Sequence, residues 1–142
     1  MSNPSITPGD KVVDLAGLLR ASAMLTGAVA PAVSLWVLNQ SAFWTVLAVL
    51  WGGTSGFFLG ALVGPVLFPA RAGEVMVVKL GAGALRPALK AGLIGGLLSG
   101  ILAGLLPPIV VSQASRVAQL VGIDAGVGVL VGAAAAYIAT RP

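Results

Sequence analysis

The 142-residue sequence contains no cysteine and no histidine. Without cysteine, disulfide bonds, thiolate nucleophiles and cysteine-ligated metals are excluded. Without histidine, the chain lacks the commonest metal ligand, the usual general base at neutral pH and the usual axial ligand of haem. We therefore predict a protein that is not an enzyme, with no metal site and no cofactor, while lipid or pigment contacts stay open.

Charge is also scarce, since 8% of the residues are charged and 58% are hydrophobic. A typical soluble domain has about 25% charged residues, so most of this surface must face lipid. The net charge of +4 comes from a few dispersed basic residues. We attribute these residues to membrane topology and lipid headgroups and not to nucleic-acid binding. Residues 1–9 are polar, and we expect no cleavable signal peptide.

Four apolar stretches are long enough to cross a bilayer, which needs roughly 20 helical residues. They cover residues 21–38, 42–68, 91–111 and 120–140. They predict an all-α integral membrane protein with a single transmembrane domain over residues 1–142, built as a four-transmembrane-helix bundle. Residues 69–90 are expected to form an interfacial loop or short helix. Residues 10–24 fit either an N-terminal amphipathic helix or the first turns of a longer first span.

The basic residues predict the orientation of these spans. With four spans, both termini and the 69–90 loop share one side of the membrane. That side carries seven of the eight basic residues, and the other side carries Arg116 alone. Because basic residues accumulate on the cytoplasmic side, we predict that both termini face the cytoplasm or its equivalent.

Glycine recurs at every fourth position in two of the spans. We call these sets the glycine rows: Gly52, Gly56, Gly60 and Gly64 in the second span, and Gly92, Gly96, Gly100 and Gly104 in the third. Small residues allow membrane helices to approach closely, as in the GxxxG motif. We predict that the two rows face each other in the centre of the bundle, with contact to a neighbouring subunit as the alternative. The fourth span adds further glycines, including Gly122, Gly126, Gly128 and Gly132.

Asp124 is the one acidic residue inside an apolar span, in the setting "GIDAGVG". A carboxylate within the membrane is a candidate functional group by default. The glycine-rich setting resembles the proteolipids of rotary ATPases, and this resemblance implies proton or sodium binding. Those proteins, however, place the carboxylate near mid-membrane, whereas Asp124 lies near the start of its span. The structural alternatives are a carboxylate at a helix start or a polar partner for Arg116.

These features favour a non-catalytic accessory or scaffold subunit of a larger membrane complex. Its expected partners are membrane lipids and other membrane subunits or further copies of itself, as a homo-oligomer. The alternative is a self-assembling pore, channel or translocation unit. The number of spans and the spacing of the glycines resemble those of the mitochondrial inner-membrane translocase family. A proton or ion carrier that uses Asp124 is a further alternative. Against a pore, hydroxyl residues are sparse, with Ser22, Thr26 and Ser34 in the first span.

Overall fold

The computed structural model describes residues 10–38, 41–69, 77–80, 83–111 and 114–141. Within these ranges the chain forms four long helices, each apolar and long enough to cross a membrane. The helices are α1 (Leu15–Val37), α2 (Ala42–Leu67), α3 (Leu85–Val111) and α4 (Val117–Ala139). The described residues therefore confirm an all-helical protein with four candidate spans. A short 3-10 turn, Ala114–Arg116, precedes α4.

The segment before the first span is not a separate amphipathic helix. Strand β1 (Val12–Asp14) comes first, and α1 begins at Leu15, so residues 15–20 are the first turns of the span. Asp14 occupies the N-cap, and its side chain accepts a hydrogen bond from the Gly17 amide at 2.9 Å. A side-chain acceptor at this position satisfies a backbone donor that the helix itself leaves free.

The predicted 69–90 loop contains more regular structure than expected. Strand β2 (Val77–Lys79) pairs antiparallel with β1, and α3 begins at Leu85, six residues before the predicted span. The Lys79 ammonium lies 3.0 Å from the Asp10 carboxylate beside this pair. Residues 70–76 and 81–82 of the loop lie outside the described residues.

The helix α1 lies at the centre of the bundle and contacts the other three helices. α2 packs along α1, and α3 packs along α4. The bundle therefore consists of two hairpins joined chiefly through α1 and α3. An apolar cluster fills the end where α1 and α3 begin. Its buried members are Val13, Leu15, Leu18, Leu19, Phe68, Ala88, Ala91 and Ala136.

The peripheral helices bury only one narrow edge each. The buried residues of α2 are all glycines of its row, and those of α4 recur at every fourth position from Leu120 to Ala136. The remaining faces expose large apolar side chains, including Phe43, Leu62 and Leu130. This pattern suits helices with one face in the bundle and the others in lipid, where the backbone stays helical despite its glycines.

Candidate functional site

The two glycine rows do not face each other, contrary to the prediction. The row of α2 lies against α1, where Gly52 approaches Gly27 and Gly56 approaches Ala23. The row of α3 lies against α4, where Gly96 approaches Gly128. The prediction failed because it considered only helices that carry four glycines in one row. On α1 and α4, short side chains such as alanine complete the smooth surface.

Three glycine pairs bring the helix backbones into direct contact. The pairs are Gly27 with Gly52, Gly92 with Gly132, and Gly96 with Gly128. In each pair, a Cβ added to either residue would overlap the carbonyl oxygen of the other. Such approaches allow Cα–H···O contacts between helices. Gly27 has a further feature, because Pro31 cannot donate the usual helical hydrogen bond to its carbonyl group.

Not every glycine of α4 belongs to a contact. An added Cβ would meet nothing within 4 Å at Gly122 or Gly126, whereas Gly128 and Gly132 lie against α3. Only some of the glycines of the fourth span therefore form its contact surface with α3. On α3, a second face reaches α1, since Gly95 lies against the Leu19 carbonyl.

A row of hydroxyl side chains runs along the buried face of α1. Ser22, Thr26 and Ser34 are each fully buried, and Ser99 of α3 is nearly so. The Ser22 hydroxyl donates to the Gly92 carbonyl at 2.6 Å, and the Ser99 hydroxyl donates to the Ala23 carbonyl at 2.6 Å. These two bonds tie α1 to α3. The sequence analysis named Ser22, Thr26 and Ser34, but composition alone did not show that their common face points inward.

Thr26 differs from these serines because its buried hydroxyl has no hydrogen-bond partner among the described residues. Its methyl group lies 3.2 Å from the position that a Cβ of Gly128 would take. Thr26 is therefore packed against α4, one helical turn from Asp124. A buried hydroxyl without a partner is costly, so its presence calls for an explanation.

Asp124 lies fully inside the bundle. Neither of its carboxylate oxygens has a partner at hydrogen-bond geometry within the described residues, although the Ser34 side chain interacts with this carboxyl group. Gly100 of α3 packs against the Asp124 backbone, and an added Cβ there would lie 2.9 Å from the Asp124 carbonyl carbon. Asp124 thus lies on the face of α4 that is turned towards α1 and α3.

The structural alternative in which Asp124 pairs with Arg116 is wrong. Arg116 is exposed just before α4, while Asp124 is buried two turns further along. Asp124 is also the only charged residue of α4, and α2 has none. The charged residues of α1 and α3 are Arg20, Arg86 and Lys90, all towards the opposite end of the bundle. No cationic side chain of these helices therefore neutralises the carboxylate.

Chemically, this arrangement offers a desolvated carboxylate with hydroxyl groups nearby. Such a group can take up a proton or a small monovalent cation, because either one removes the unfavourable buried charge. In the part of the chain that the structure describes, no group of three or more acidic residues could hold a metal ion. The chain matches no protein-family model, and no curated protein or solved structure matches it significantly.

Proposed function

We propose that this protein is a membrane-embedded carrier of a proton or small monovalent cation, with Asp124 as the binding group. The observation that carries this proposal is the complete burial of the Asp124 carboxyl group with no cationic partner among the described residues. Charged groups within a bilayer are costly, and they generally mark ion pathways or proton relays. The step is reversible binding, so no catalytic residue is required.

The buried hydroxyls support the same proposal. Ser34 interacts with the Asp124 carboxyl group. Thr26 lies about two turns before Ser34 on α1, and its buried hydroxyl has no hydrogen-bond partner among the described residues. A hydroxyl group can donate to a carboxylate and accept from a carboxylic acid, so it suits both states of a proton site. Asp124, Ser34 and Thr26 are therefore the residues to which we assign cation binding.

The test is cation flux in liposomes that contain the purified protein. We expect a proton or sodium gradient to dissipate with the wild type, and Asp124→Asn to reduce the flux to that of protein-free vesicles. Asp124→Glu retains the carboxylate and should restore part of the flux. Asp14→Asn is the matched control, because Asp14 is an acidic N-cap outside the bundle interior. Wild-type flux equal to that of empty vesicles would refute the proposal.

We also propose that GxxxG-type contacts of the glycine rows hold this site together. The support is the position of Gly100 against the Asp124 backbone, one turn beyond the close pairs at Gly92 and Gly96. Close backbone contact fixes the separation of α3 and α4, and a fixed separation keeps water away from the carboxylate. The glycine rows would thus pack helices of the same chain against each other.

An accessory subunit of a larger membrane complex is the second candidate. It is favoured by an apolar cleft on the outer face of α2, lined by Leu47, Leu50, Trp51, Thr54, Ser55 and Phe58. Such a concave face could receive a helix of another subunit or of a second copy. A self-assembling pore gains less support, since the hydroxyls of α1 face the inside of the bundle.

The mass and composition of the native particle, extracted in mild detergent, distinguish these candidates. Unrelated subunits that co-purify in a fixed ratio would establish the accessory function, and Trp51→Ala should then release them. A single chain or a homo-oligomer with Asp124-dependent flux would support the carrier. Leu130→Ala is a suitable control for Trp51→Ala, because Leu130 is an exposed apolar residue on α4, away from the cleft.

A further inference from the structure

Arg20 is the only charged residue of α1, and it lies against α2. A Cβ added to Gly60 of α2 would come within 2.6 Å of the Arg20 Cα atom. The guanidinium carbon of Arg20 lies 5.6 Å from the centre of the Phe57 ring. Gly60 therefore gives the arginine room to lie along α2, and Phe57 holds its charged group by a cation–π contact.

No acidic side chain among the described residues pairs with Arg20. Its buried Nε has no hydrogen-bond partner, and α2 contains no charged residue at all. The nearby acids are engaged elsewhere, because Asp14 accepts from the Gly17 amide and Asp10 pairs with Lys79. The guanidinium group is thus held in place without an anion from these residues.

The position of Arg20 indicates where an anion would come from. Arg20 is five residues beyond the start of α1, about 7–8 Å along the helix axis. This end of the bundle also carries exposed basic residues: Lys11, Arg86, Lys90 and Arg141. Basic sites between membrane helices near the cytoplasmic surface typically receive the headgroups of anionic lipids.

We infer that Arg20 binds the phosphate group of an anionic membrane lipid in the groove between α1 and α2. A guanidinium group matches this ligand because its planar array of donors can make two parallel hydrogen bonds to phosphate oxygens. The cation–π contact with Phe57 does not use the N–H donors of the guanidinium group as hydrogen bonds to a protein acceptor, so these donors can bind a phosphate. This site is independent of Asp124 and of the proposed cation transport.

The experiment measures lipid binding to the full-length protein by native mass spectrometry, after transfer from nanodiscs that contain phosphatidylcholine and phosphatidylglycerol. We expect the wild type to retain phosphatidylglycerol preferentially. Arg20→Gln should lower its affinity about tenfold, which corresponds to one charge-assisted contact. Arg20→Lys should have an intermediate effect, because a lysine lacks the planar donor array. Arg116→Gln is the matched control and should change little, because Arg116 is an exposed arginine at the opposite end of the bundle.

Two further arms make the result decisive. Phe57→Leu keeps the charge and removes the ring, so we expect a severalfold loss of lipid even if Arg20→Gln proves unstable. Equal lipid retention by the wild type and both Arg20 variants would show that the Arg20 side chain does not bind the lipid, and would overturn the proposal. Inorganic phosphate that bound without lipid, with the same dependence on Arg20, would identify free phosphate as the ligand and overturn the lipid assignment.

Discussion

Two glycines of α4 that lie two residues apart have very different surroundings. Gly128 faces α3, where an added methyl group would overlap the Gly96 carbonyl, whereas Gly126 faces open space. We expect Gly128→Ala to destabilise the bundle by about 1–3 kcal/mol, as overpacking of a tight contact generally does. Thermal unfolding in detergent, followed by loss of the folded monodisperse species, measures the difference.

Gly126→Ala is the matched control for this substitution, since it adds the same methyl group to the same helix. Alanine is a better helix former than glycine by up to about 1 kcal/mol, so this variant should be at least as stable as the wild type. The same contrast applies to Gly96→Leu on the row of α3 and Leu62→Ala on the exposed face of α2. If Gly128→Ala and Gly126→Ala unfold alike, the close contact between α3 and α4 does not limit stability.

Ser99 provides a second test at the scale of single residues. Its hydroxyl donates to the Ala23 carbonyl at 2.6 Å and connects α3 to α1. Interhelical hydrogen bonds in membrane proteins contribute about 0.6 kcal/mol on average, so Ser99→Ala should lower stability by about that amount. The Thr54 hydroxyl bonds only within its own helix, to Leu50. Thr54→Val should therefore have no measurable effect, and a larger loss at Thr54 than at Ser99 would contradict this assignment.

Among the helices, α1 holds the bundle together because α2 and α3 both pack on it. Ala28 of α1 lies close to Gly53 of α2, at 3.6 Å from the position of an added Cβ. This separation suits a disulfide bond, and the chain has no native cysteine. We expect the double variant Ala28→Cys/Gly53→Cys to cross-link on oxidation. Cleavage at a protease site inserted after Ser41 separates α1 from α2, so reducing and non-reducing electrophoresis of the cleaved chain would detect the link. Cleavage in the 70–84 connection serves the same purpose for a pair on α2 and α4.

The control for this cross-link is Gly53→Cys with Gly126→Cys, two positions that share no contact in the structure. Cross-linking of this pair within one chain would mean that the hairpins are arranged differently. A cross-link between chains, identified by its doubled mass, would instead indicate contact between copies.

Periodicity and length were sufficient to predict the four helices, because each span needs a long apolar stretch and nothing else. They placed the starts of α1 and α3 six residues late, since polar residues such as Arg20 and Arg86 broke the apolar pattern. They could not predict which helices meet, because a glycine row shows that a face is smooth but does not name its partner. For the same reason, the burial of Asp124 against α1 and α3 became evident only from the packing.

At the scale of the whole molecule, both glycine rows are used for contacts within the chain. The outer faces of α2 and α4 are then left with large apolar residues, which lipid can cover without a partner. A carrier of this kind needs no second subunit to seal its site, because α1, α3 and α4 already enclose Asp124. The interior site and the α2 cleft are therefore separable, and variants at one should not alter the other.

The even number of spans determines a last prediction, which concerns orientation. The basic residues at the end where α1 begins outnumber Arg116 at the opposite end. Because the cytoplasmic side favours lysine and arginine, we expect reporters fused to either terminus to be cytoplasmic. A reporter inserted after Ser41, in the connection between α1 and α2, should lie on the opposite side. Alkaline phosphatase, active only outside the cytoplasm, and a green fluorescent protein, fluorescent only inside it, give complementary readouts.

Phosphatase activity at both termini would invert the assignment, and would then place the proposed Arg20 lipid site in the outer leaflet. Activity at one terminus alone would mean that one of the four helices does not cross the membrane.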